Sequence, residues 1–158
     1  VSLESALRTI GHTPVRIGGA TALMGALGRG ERWDLVVNIA ESTLKCLGQP
    51  PLKPFLDLPR MASLAQEMTR DSLGAFVRRD AELARDVLRR DDEVDDLKDQ
   101  IFRALLTYMM ADPGTIERAL SLILISRNLE RVADHATNIA EDVIFMVEAK
   151  DVRHHRVE

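Results

Sequence analysis

The sequence predicts an all-α protein built around an antiparallel three-helix bundle. Leu, Ala, Arg, Asp and Glu dominate the composition, and aromatic residues make up only 4%, a mixture that favours helices over sheets. Apolar residues recur with a helical period over three long stretches after Pro59. The connections between those stretches are short, which makes the helices antiparallel neighbours.

In chain order, residues 1–30 are the least regular. Gly11, Gly18, Gly19, Gly25, Gly28 and Gly30 punctuate them, and each glycine inside a helix costs roughly 1 kcal/mol relative to alanine. The glycines match neither a phosphate-cradling loop nor a dinucleotide fingerprint. An irregular, divergent segment is expected. Residues 31–47 then read as one helix, with Leu35, Val36, Ile39, Ala40, Leu44 and Leu47 as its apolar stripe. Gly48 and Pro50 end it. Residues 48–59 contain four prolines and predict an extended linker. Its Leu52, Phe55, Leu56 and Leu58 are too apolar for a free tether and are expected to pack along the bundle.

The first long helix is expected from Pro59 to about Arg78, with Met61, Leu64, Ala65, Met68, Leu73 and Phe76 inward. Asp80 is placed to cap the second, which runs to about Met110 through Leu83, Val87, Val94, Ile101, Leu105 and Met109. Asp112-Pro113-Gly114 forms a tight turn. The third helix runs from about Thr115 to Ala149 through Leu122, Leu129, Val132, Ala136, Ala140, Val143 and Val147. The complete unit thus spans residues 59–150, followed by a polar tail at 151–158 that contains His154 and His155.

Asn38-Ile39-Ala40-Glu41 recurs as Asn138-Ile139-Ala140-Glu141, and Asp34 aligns with Asp134 at the same offset. Residues 31–47 therefore read as the last helix of an earlier copy of the same unit. Its exposed stripe predicts packing on the complete bundle or in a dimer.

Charge and cysteine content narrow the function. A formal net charge of −4 argues against nucleic acid as a partner, which needs a basic face. Cys46 is the one cysteine, so neither an internal disulfide nor a thiolate metal site is available. No apolar run is long enough to cross a bilayer, and the first residues lack a basic and then apolar leader. The expected compartment is the cytoplasm. No Ser-His-Asp or Cys-His arrangement offers a nucleophile, so no catalytic residue is assigned.

The chemistry that stands out is carboxylate. Asp91-x-x-x-Asp95 lies on the second helix and Glu130-x-x-x-Asp134 on the third. Spacing of i to i+4 puts each pair on one face, and two such pairs on antiparallel helices present four carboxylates to a shared region. Asp91 falls inside the apolar sector of its helix, Asp95 lies at the margin, and Glu130 and Asp134 flank the stripe of Leu129, Ala136 and Ala140. Carboxylates so placed repel one another and need a partner. A hard multivalent cation with all-oxygen ligation is one solution, with Asn138 one turn beyond Asp134 as a supporting group. Ion pairing with Arg127 and Arg131 is another, and solvated surface charge is the third. His135 points about 100° away from Asp134 and reads as a packed or surface histidine.

The residues Leu129–Glu141 (LERVADHATNIAE) look like the signature helix of the PhoU family. The likeness continues through Pro51–Met61, Asp80–Ala84, Arg90–Asp95 and Asp151–His154, and so covers about residues 31–155. The resemblance implies two three-helix repeats, each with two E/D-x-x-x-D motifs that bind metal. It carries metal ligation onto Asp91, Asp95, Glu130 and Asp134, with Asn138 nearby, and leaves iron, zinc, manganese or magnesium open as the ion. It also implies a cytosolic, often dimeric adaptor that reaches the membrane only through partners. Those partners are the phosphate ABC transporter ATPase and a sensor histidine kinase, and the output is repression of the phosphate-starvation response. The first-repeat motif departs from the pattern: Glu31-x-x-Asp34 is one residue short, which turns Glu31 by about 100° from Asp34. One intact site is therefore expected, in the second repeat. The competing readings are a ferritin-like di-iron enzyme, whose Glu-x-x-His motif does not occur on these helices, and a structural helical interaction module without metal.

Overall fold

Period and turn chemistry translate directly into the observed helices. The computed structural model describes residues 31–46, 52, 57–149 and 152, with side chains from residue 35 onward. Within them the helices are α1 (Glu31–Cys46), α2 (Asp57–Arg78), α3 (Ala81–Arg89), α4 (Asp91–Ala111) and α5 (Ile116–Glu148). The protein is all-α, and among the described residues no helix is long and apolar enough to cross a membrane. The irregular segment expected at 1–30, most of the linker and the histidines of the tail lie outside the described residues. Leu52, Leu58 and Val152 are described, and all three pack against the core.

Helix α5 organises the rest, since α1, α2, α3 and α4 all pack against it. Its buried face is built from Ala119, Leu122, Ile125, Ala133, Ala136, Ala140, Val143 and Ile144. The alanines let neighbouring backbones approach, and the larger residues fill the space between them. Met61, Met68, Val87 and Val94 complete the interior from the other side. Several buried polar side chains are satisfied along their own helices. Thr43 Oγ1 donates to the Ile39 carbonyl at 2.7 Å, Thr69 Oγ1 to Ala65 at 2.8 Å, and Asn128 Nδ2 to Leu124 at 2.7 Å. These bonds remove the cost of burying polar atoms in an apolar core.

The turns follow the chemistry of their residues. Asp80 caps α3 by accepting a bond from Leu83 N at 3.0 Å. Asp112 Oδ1 accepts from Gly114 N at 2.9 Å and starts a short 3₁₀ turn, Pro113–Thr115. The Thr115 hydroxyl then donates to the Asp112 carbonyl at 2.7 Å and closes the α4–α5 corner. Ion pairs bind the helices further along. Arg85 joins α3 to the end of α5 through Glu148 at 2.5 Å, and Arg60 joins α2 to α4 through Glu93 at 2.6 Å.

The structure departs from the sequence pattern in five places. The second helix, expected to be continuous from Asp80, breaks at Arg90 into α3 and α4. No proline or glycine stands there. The Arg90 guanidinium pairs with Asp86 on its own turn and with Asp71 of α2 at 2.8 Å, which anchors the end of α3. The acidic run Asp91-Asp92-Glu93 forms the first turn of the new helix, where negative charge suits the helix dipole. Helix α2 starts at Asp57, two residues before Pro59. Its inward row shifts after Met68 to the small residues Ser72 and Ala75, leaving Phe76 54% exposed. In α1 the buried face runs Leu35, Ile39, Ser42 and Thr43, and Leu44 turns outward. Val147 is also exposed.

An outward apolar row on α4, Phe102, Leu106 and Met110, follows Lys98 at steps of four residues, and α5 carries Ile116, Leu120 and Leu124 at the same step.

Two stability effects follow. Ala149 closes α5 in the left-handed region at φ 55°, a conformation that strains any residue with a Cβ and suits glycine. Ala149→Gly is expected to raise unfolding free energy by about 0.5–1 kcal/mol in a urea titration. Met68 is fully buried, and Met68→Ala is expected to lower it by about 2–5 kcal/mol in the same measurement.

Candidate functional site: a carboxylate cluster between two helices

Asp91 is the first residue of α4, and Asp95 follows one turn later on the same face. Glu130 and Asp134 stand one turn apart on α5. Because α4 and α5 run antiparallel beside each other, the two pairs meet across the interface. The sequence placed these four together, and the structure brings their charges within mutual reach.

The electrostatics record the crowding. Half-buried Asp91 is pushed up to about 6, first by desolvation and then by Asp134, Asp95, Asp92 and Glu130. Its position at a helix N-terminus acts in the opposite sense, so burial and like charge outweigh the dipole. Asp134 is raised too, although it stands exposed. Desolvation by the atoms around it comes first, then Glu130 and Asp95, while His135 and Lys98 pull the other way.

One side chain in the cluster was not singled out from the sequence. Lys98, one turn after Asp95, donates from Nζ to Asp95 Oδ1 at 2.8 Å and to Glu130 Oε1 at 3.1 Å. It therefore links α4 to α5 within the cluster. The bond to Asp95 is the main cause that holds its ammonium well above the ordinary lysine range; partial burial opposes this, and Glu130 adds to it. The cation found between the two carboxylate pairs is this lysine, where the sequence had offered Arg127 and Arg131, which are exposed on α5. The signal was present as Asp95-x-x-Lys98, an i,i+3 pair on the acidic face.

The remaining candidates are less engaged. Asn138 is exposed one turn beyond Asp134. His135 is half-buried and carries a favourable charge interaction with Asp134. Glu31 and Asp34 lie in the first turn of α1, but their side chains fall outside the described residues. Cys46 is half-buried against Arg118 and Ser121, and burial raises its thiol. Among the described residues, no three His, Cys, Asp or Glu side chains are drawn close enough to grip a metal ion as they stand. The donor set is nonetheless all-oxygen and strongly anionic, which is the chemistry a hard cation needs.

Comparison with known proteins gives the site a setting. A family model described as the PhoU domain matches residues 58–143. A phosphate-specific transport system accessory protein PhoU homolog from Deinococcus radiodurans is 43% identical over 114 residues, covering 72% of this chain and 54% of that protein. PhoU homolog 2 from Thermotoga maritima is 41% identical over 117 residues, covering 74% and 50%. The crystal structure of PhoU from Pseudomonas aeruginosa superimposes with a TM-score of 0.72 at 32% identity, over 93% of this chain and 73% of that one. The chain spans about half the length of the curated relatives it matches.

Asp91 supplies a pH test. Its folded pKa of about 6 lies above the roughly 3.9 of an unfolded aspartate. Between those values the folded chain binds more protons than the unfolded one, so this group's contribution to stability falls as pH rises through the window. In EDTA, Asp91→Asn is expected to raise the urea midpoint near neutral pH, with the gain fading below about pH 4. A lower midpoint at neutral pH would mean that the helix dipole outweighs burial and repulsion.

Proposed function

The chain belongs to the PhoU family, and on that premise we propose that it is a non-enzymatic regulator of phosphate uptake. In this reading it represses phosphate-starvation signalling by linking the phosphate ABC transporter ATPase to a sensor histidine kinase. The match over residues 58–143 carries the proposal, and the relatives' naming as accessory proteins of phosphate-specific transport supports it. An acidic, all-helical chain suits a cytoplasmic adaptor that meets the membrane through protein partners. A homodimer suits the exposed apolar rows on α4 and α5.

The cluster between α4 and α5 is the proposed metal site, with Asp91, Asp95, Glu130 and Asp134 as the residues that would hold the ion. Their fit rests on the oxygen-only donor set and on the desolvation and mutual repulsion that raise Asp91 and Asp134. A bound hard cation supplies neutralising charge there. Asp91 and Asp95 contribute from the first turns of α4, Glu130 and Asp134 from mid-α5, so neutralisation fastens the two helices together. The intact helix-to-helix pairing of Lys98 favours a second reading, a helical interaction module that works without metal.

Two experiments decide. Metal analysis after equilibrium dialysis is expected to find ion bound to the wild-type chain and lost from Glu130→Ala and Asp134→Ala. Absence of metal from the wild type at near-physiological concentrations would leave the module reading in its place. Pull-down with the transporter ATPase and the sensor kinase is expected to retain both, and failure to retain either would defeat the adaptor role.

A further inference from the structure

Two exposed rows, one on α4 and one on α5, carry matching residues in matching order. On α4 the row is Asp95, Asp99, Phe102, Leu106 and Met110; on α5 it is Arg131, Arg127, Leu124, Leu120 and Ile116. Both advance by four, three, four and four residues, which keeps each row on one helix face. The corner at Asp112–Thr115 and the reach of Lys98 to Glu130 set the antiparallel register of the two helices. Asp99 thus stands level with Arg127, and Leu106 with Leu120, to within about one turn. We propose that these rows form a two-fold interface with a second copy of the chain, α4 of each copy lying along α5 of the other. This gives the homodimer named above a specific geometry and stands apart from the metal reading.

Symmetry selects the occupant. A two-fold axis parallel to the helices exchanges the two rows and keeps each residue at its level. It sets Asp95 opposite the partner's Arg131 and Asp99 opposite the partner's Arg127. Phe102, Leu106 and Met110 then meet the partner's Leu124, the partner's Leu120 and the partner's Ile116. Every contact occurs twice, as an isologous interface requires. Opposite charges pair in one half, and the apolar side chains of the other half leave water together. Asp99, Arg127 and Arg131 form no ion pair within the chain among the described residues, so their charges are open to a second copy. The next step in the same register, Asp92 with Asp134, is acidic on both helices and marks the margin of the strip. Any other partner would have to reproduce this order of charged and apolar residues on two helices, whereas a second copy carries it already. A strip about 22 Å long is modest for an interface, so the dimer is expected to dissociate at micromolar concentrations.

The test follows the full chain by sedimentation velocity across a micromolar concentration series. Wild type is expected to pass reversibly from monomer to dimer. Asp99→Arg and Arg127→Asp each set like charges against one another at both symmetry-related contacts. Each is expected to weaken the dimer about tenfold or more. Mixing the two variants is expected to restore it, because both contacts of the mixed dimer again join opposite charges. Leu106→Asp, which puts a charge in the apolar half, is expected to remain monomeric. All three positions are exposed, so circular dichroism is expected to show wild-type helicity in each variant. A wild type that stays monomeric overturns the proposal, and so does a dimer indifferent to both charge reversals. Loss of the dimer in both variants without rescue on mixing overturns the two-fold register. A monomeric wild type that still retains the transporter ATPase and the sensor kinase defeats the interface and leaves the adaptor role standing. A dimer that retains neither defeats the adaptor role and leaves the interface.

Discussion

Burial of α5 on several sides is the constraint from which the other features follow. A helix of 33 residues that accepts four neighbours must be apolar around much of its circumference, yet it also carries Glu130, Arg131 and Asp134. The two demands are met by dividing the helix. Small and branched residues make up its buried face, and Glu130 on its flank reaches Lys98 of α4.

That placement makes charge a structural problem as well as a functional resource. Four carboxylates on adjacent helices repel, and Lys98 offsets part of the repulsion with bonds to both helices. Elsewhere the fold answers the same problem with arginine. Arg90 sits between Asp86 and Asp71, and Arg85 between Glu82 and Glu148. The choice of cation differs in a way that matters physically. Arginine's planar fork holds two carboxylates in fixed geometry, whereas the lysine ammonium is a compact charge on a mobile stem. The rigid pairs fasten the middle and the end of α3, and the yielding one lies at the candidate site.

Much of this was readable before any coordinates. The helical period, the Asp80 cap and the Asp112-Pro113-Gly114 turn rest on local rules, and local rules transfer well from sequence to structure. The four clustered acids were also legible, because i,i+4 spacing and an antiparallel connection suffice to bring them together. The break at Arg90 was not, since it comes from an ion pair to Asp71 on another helix, and the apolar period continues across it undisturbed. Phe76 and Leu44 misled for a related reason. A periodic pattern identifies a stripe, but only tertiary packing decides where along a helix the neighbour departs and the stripe meets water. Lys98 meets Asp95 through local i,i+3 spacing, but its reach to Glu130 depends on how α4 packs against α5.

The apolar rows on α4 and α5 give the cluster's surroundings a distinctive solution behaviour. Phe102, Leu106 and Met110 continue from Lys98 along α4, and Ile116, Leu120 and Leu124 begin α5. One exposed flank of the chain thus has an anionic end and a greasy end. Added salt screens the first, while strongly hydrated salts such as sulfate strengthen contacts made by the second. In sulfate, a companion surface that engages both ends is therefore affected in opposite senses, screened at the first and strengthened at the second.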